Sequence, residues 1–118
     1  MKRMWIVLAV LLAGCGMPSA ATLPDEDPSI EGTIQQSSAI QAGRRILVEA
    51  TPPVAGREPA AHVAVLPSAD VLADSAGTVV RASADELVVG TRVRVWFTGP
   101  VAESFPVQAT AGTVLILR

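Results

Sequence analysis

Few side chains in this sequence are of a kind that carries chemistry, and those few are scattered. His62 is the only histidine and Cys15 the only cysteine. An imidazole working as a general base needs a nucleophile and an orienting acid within reach. No nucleophile motif such as G-x-S-x-G occurs, and in "HVAVL" the alternation turns Val63 and Val65 inward and His62 outward. Asp70, Asp74 and Asp85 lack the spacing of a calcium loop. The run Asp25, Glu26, Asp27 has no further ligand types around it. The expectation is no catalytic residue, no metal and no cofactor, with a small enzyme or enzyme inhibitor as the remotest reading.

Recognition chemistry is better represented. "TRVRVWFTG" alternates, so Val93, Val95 and Phe97 share one face of a strand while Arg92, Arg94 and Trp96 share the other. An indole beside guanidiniums suits a sugar ring or an acidic partner. The competing reading is a cation–π stack that merely covers the fold. The segment "GPVAESFPVQA", residues 99–109, also carries two readings. In one, Glu103 or Ser104 holds backbone amides at a turn and Phe105 plugs a barrel end. In the other the segment is a recognition loop. The contact candidates are thus Arg92, Arg94, Trp96 and Glu103. Nucleic acid is not an expected partner: beyond Cys15 only Trp96, Phe97 and Phe105 are aromatic, and no basic block occurs.

Cys15 belongs to different chemistry. Lys2 and Arg3 precede an apolar run from Met4 to Gly14, too short for a spanning helix, which needs about 20 residues. A basic start followed by a short apolar segment is the layout of a secretory signal peptide. Leu12-Ala13-Gly14-Cys15 resembles the lipobox of bacterial lipoproteins. The resemblance implies cleavage before Cys15, a diacylglyceryl thioether on its sulfur and acylation, commonly with palmitate, of the new α-amine. Two or more chains anchor stably where one does not. The alternative is an ordinary signal peptide cut after "SAA", residues 19–21, but Pro18 intervenes and the lipobox stands at the right distance from the apolar run. Cleavage before Cys15 removes two of the nine bases and none of the eleven acids.

The elements that must position these residues follow from composition. Residues 1–14 read as signal peptide and 15–29 as lipidated cysteine plus a flexible Pro/Ser/Ala/acid tether. Residues 30–118 read as one domain of short strands separated by turn residues. "IEGTIQQS" sets Ile30, Gly32 and Ile34 on one face, with Gly32 expected at a bulge or bend. "RILVEAT" turns Ile46 and Val48 inward. Between Pro67 and Gly90, Ser83 and Glu86 have capping-box spacing and predict one helical turn, while "SADVLADSAG" is open to a second short helix. Gly99-Pro100 is expected to turn the chain, and Pro106, lacking an N–H, to exclude a regular central strand just afterwards. "TVLIL", apolar on both faces, reads as an interior strand. Five strands with a short helical element before the fourth predict an all-β, OB-like Greek-key barrel.

The C-terminal third adds a resemblance. Leu87, Gly90, Val93, Val95, Gly99, Val101, Glu103, Ser104, Phe105, Pro106, Gln108 and Ala111 are similar in type and order to the closing segment of the YobA-like family of small bacterial lipoproteins and secreted domains. "GTI" at 32–34 and "RILVEA" at 45–50 fit its opening strands. The resemblance implies a small OB-like barrel and an envelope location, and no activity. The sequence therefore suggests a lipid-anchored envelope protein, in the cell or outer membrane and exposed to periplasm or exterior. It would act as a non-catalytic binding or accessory module for an envelope protein or glycan. The alternative is a structural subunit that packs through a sheet edge.

Overall fold

The computed structural model describes residues 21–55 and 58–118. Seven strands form in chain order: β1 Ile30–Ile40, β2 Gly43–Ala50, β3 Ala60–Val65, β4 Asp70–Ser75, β5 Thr78–Arg81, β6 Arg92–Ala102 and β7 Val107–Leu117. One sheet runs β3-β2-β1-β6-β7-β4-β5, and β3 also pairs with β7. That last pairing is parallel, Ala61–Ala64 against Val107–Thr110, and it closes β1, β2, β3, β7 and β6 into a five-stranded barrel. The expected OB-like closure is therefore present.

Alternation builds the interior. Ile30, Ile34, Ile46, Val48, Val63, Val65, Val93, Val95, Val114 and Ile116 form one buried cluster inside the barrel, each strand giving every second residue. β7 is apolar on both faces because it serves two cores. Val114 and Ile116 point into the barrel, whereas Leu115 packs outside with Leu72 and Trp96.

Four sequence expectations are corrected. "SADVLADSAG" is no helix: residues 70–81 fold as the β4–β5 hairpin, and β4 pairs parallel with the C-terminal half of β7. The only helical element among the described residues is the 3-10 turn Ala84–Glu86, which carries the expected Ser83/Glu86 capping box. Gly32 is not the bulge. The register of β1 on β2 slips at Gln35, and Gly32 instead permits close approach, since a Cβ there would lie 1.8 Å from the Glu49 carbonyl oxygen. Gly99-Pro100 does not turn the chain. β6 continues through it to Ala102 with irregular register, the reversal falls at residues 103–106, and Pro106 precedes β7 where no ladder N–H is required. Phe105 plugs nothing, being 80% exposed, while Leu87 is fully buried against the barrel core.

The tether reading is corrected in its second half. Ala21 N–H donates to the Val79 carbonyl, Ser29 N–H to the Val95 carbonyl, and Ala21 and Leu23 pack beside Trp96. Residues 21–29 thus lie along the barrel. Cys15 and the signal-peptide segment fall outside the described residues.

Candidate functional site

The face expected to bind is a structural seam. β1 and β6 meet over only four residue pairs, Ile30–Thr33 against Arg92–Val95, as few as at the closing β3–β7 junction. Glu31 straddles it. Its Oε1 accepts from Arg94 Nε at 2.7 Å and its Oε2 from Arg92 Nη2 at 2.9 Å, and Arg92 also donates to the Thr51 carbonyl at 2.6 Å. Partial burial pushes the Glu31 carboxyl up, but hydrogen bonds and charge from Arg94 and Arg92 outweigh this and hold it below its ordinary value.

Trp96 is separated from these arginines in role. It is 6% exposed, packs on Leu72 and Leu115, and donates Nε1–H to the Glu26 carbonyl at 2.9 Å. The β4–β5 hairpin and residues 21–26 cover it, so it offers no platform for a ligand. Glu103 stays exposed at the end of β6, bordering a shallow hollow with Asp27, Glu58 and Val101. The structure therefore does not bring Arg92, Arg94, Trp96 and Glu103 together as one contact surface.

A different surface is assembled by register. On the outer wall of the barrel, Gln36 pairs with Leu47, Leu47 with His62, and His62 with Gln108. One step along, Ser38 pairs with Arg45, Arg45 with Ala64, and Ala64 with Thr110. These two rows cross four strands, about 14 Å at normal strand spacing. They line two adjoining cavities of about 360 and 330 Å³ that share Arg45, His62 and Gln108. The outer part of β6, Pro100 to Ala102, forms the raised side of the larger one.

Electrostatics set this groove apart. None of its lining residues is acidic. Arg45 has no acidic partner among the described residues, whereas Arg44, Arg81, Arg92, Arg94 and Arg118 each reach a carboxylate. Val101 borders both the groove and the hollow of Asp27, Glu58 and Glu103, so the arm at 99–106 parts a basic side from an acidic one. His62 faces outward as the alternation indicates, but it is half-buried in the groove. Among the described residues no three His, Cys, Asp or Glu side chains are placed to hold a metal.

Arg45, Gln36, Ser38, Leu47 and Gln108 were not expected as site residues. For Arg45 and Leu47 the outward facing was legible in β2. For Gln36 and Ser38 the alternation from Ile30 and Ile34 points inward, and only the slip at Gln35 turns them outward. Gln108 precedes the strand expected at 113–117. That all five adjoin was not legible, because it depends on the Gln35 bulge and on the parallel β3–β7 pairing.

Comparison with known families bears on the C-terminal part. Residues 71–118 match the model of a family described as proteins of unknown function, DUF3221. The match spans β4 through β7, including the Trp96 pocket, the arm and Gln108, and stops short of Arg45 and His62. Among curated proteins nothing matches the chain. Nothing matches among solved structures either.

Proposed function

We propose that this protein is a non-catalytic binding module held at the bacterial envelope by lipid on Cys15, with the outer-wall groove as its recognition surface. The observation that carries the reading is the groove itself: a polar, acid-free surface, bordered by the arm at 99–106, with an arginine that has no acidic partner among the described residues. Exposed charge without a partner contributes little to a fold, so Arg45 is free to serve recognition without cost to stability. A hydrolytic site built on His62 would need a carboxylate in the same cavity, and neither cavity lining contains one. The envelope part rests on the lipobox and on the similarity of residues 87–111 to YobA-like lipoproteins. The alternative is a structural subunit packing through a sheet edge; barrel closure pairs β3 with β7 and leaves β5, which pairs only with β4, as the edge it would use.

Two measurements test this. Membrane fractionation should find the wild type with membranes and Cys15→Ala in the soluble fraction; a membrane-bound Cys15→Ala removes the anchor. A photo-crosslinking residue at Ala64, within the groove, should form a specific adduct in intact cells that the same residue at Asp74, outside it, does not. Equal labelling at both positions removes the groove as the recognition surface.

A further inference from the structure

The lining of the groove is specific enough to indicate what it holds. Its only permanent charge is Arg45, and the acid next along β2, Glu49, is four residues away, about 13 Å of strand. No acidic residue lines the groove and Arg45 has no acidic partner among the described residues, so its guanidinium is available to a ligand. Around it stand side chains that both donate and accept: Gln36, Ser38 and Gln108. Leu47 and Val101 add small apolar patches.

Other ligand classes fit poorly. The groove holds no Trp, Tyr or Phe, so nucleobases find no stacking platform. An extended peptide binds a sheet by completing an open strand edge. Here the wall is four paired strands, β1-β2-β3-β7, whose backbone groups are already bonded across the sheet. Only side chains can recognise a ligand lying across it. Amides and hydroxyls spaced along a shallow open groove complement a chain of sugar hydroxyls, and one guanidinium complements one anionic group per bound stretch.

Building on the reading of this groove as a binding site, we infer that its ligand is an acidic polysaccharide, with a carboxylate or phosphate group on Arg45 and sugar hydroxyls on Gln36, Ser38 and Gln108. Arg45 fixes the position of the chain, and the amides read its hydroxyls.

The test is equilibrium binding by the full-length protein in a neutral detergent, using four probes: oligogalacturonate, a phosphorylated mannan, neutral dextran and polyglutamate. At least one of the two acidic glycans should bind, and which one does separates a carboxylate source from a phosphate source. Arg45→Gln should weaken that binding tenfold or more, Arg45→Lys should restore part of it, and Arg81→Gln, which removes a paired arginine elsewhere, should leave it unchanged. Dextran and polyglutamate should bind at least tenfold more weakly. Equal losses for Arg45→Gln and Arg81→Gln would reduce the effect to net charge and overturn the assignment. So would polyglutamate binding as well as the glycans, or dextran doing so. A groove that crosslinks at Ala64 in cells yet binds neither acidic glycan overturns the ligand class and leaves the binding-module reading standing.

Discussion

Two regions of the barrel wall carry arginines, and they use them in opposite ways. At the β1–β6 seam, Arg92 and Arg94 converge on one carboxylate, Glu31, and tie together a junction of only four residue pairs. On the β1-β2-β3-β7 wall, Arg45 meets no carboxylate among the described residues and lies beside His62 and Gln108 in an open groove. The guanidinium is the same in both. The difference shows that an arginine's contribution to stability depends on what the opposite strand offers, and that the one without an offer is the one available to a ligand.

Substitutions at the two regions should therefore separate stability from binding. The largest expected effect is at the covered end of the seam strand. Trp96→Ala empties the pocket formed with Leu72 and Leu115 and strands the Glu26 carbonyl. It should cost about 3–5 kcal/mol in chemical denaturation, as other buried aromatic truncations do. An unchanged unfolding midpoint would mean that Trp96 is not held in the core.

Next comes Gly32→Ala, where the added methyl meets the Glu49 carbonyl and must push β1 from β2. A loss of about 1–3 kcal/mol is expected, read as a fall in the thermal midpoint. A neutral result would place the strand crossing elsewhere.

Glu31→Gln is smaller, about 1 kcal/mol, because the pair is partly exposed and screened. Its signature is in pH. Glu31 has its carboxyl held below its ordinary value of 4.5 in the folded state. Its contribution is therefore fully present above that value and is lost as pH falls through the lower folded-state value. Wild-type stability should decline more steeply in that acid range than that of Glu31→Gln. Parallel curves would show that the seam carboxylate contributes nothing.

The smallest stability effect belongs to Arg45→Gln, within about 0.5 kcal/mol, since no described partner is lost. A larger loss would make Arg45 structural and erase the contrast with the seam. Unchanged stability beside weakened glycan binding would sharpen it.

The strand alternation was open to reading where one face is buried, because a period of two leaves little freedom in what points inward. Ile30, Ile34, Val63, Val65, Val93 and Val95 all fall where their spacing puts them. The β4–β5 hairpin was less legible. "SADVLADSAG" is rich in residues that tolerate a helix, and it becomes a strand only because β7 provides a parallel partner and Leu115 a surface for Leu72. The sequence left Trp96 open between a binding face and a cover for the fold for a related reason. Alternation gives the face a side chain occupies, and not what later lies over that face.

Local physical chemistry in the chain itself determined the all-β class, the inward residues of β2, β3, the first half of β6 and the first half of β1, and the capping box at Ser83. Each follows from near neighbours along the chain, through alternation or a side chain reaching back to its own backbone. Tertiary structure alone decided that Arg92 and Arg94 are consumed by Glu31, that Trp96 is roofed by residues 21–26 and the β4–β5 hairpin, and that Gln36, Arg45, His62 and Gln108 share one groove. Those outcomes depend on register across strands up to 72 positions apart in the sequence, as Gln36 and Gln108 are. Register is set by a bulge, a closing parallel pair and the packing of whole elements, none of which any local run of residues specifies.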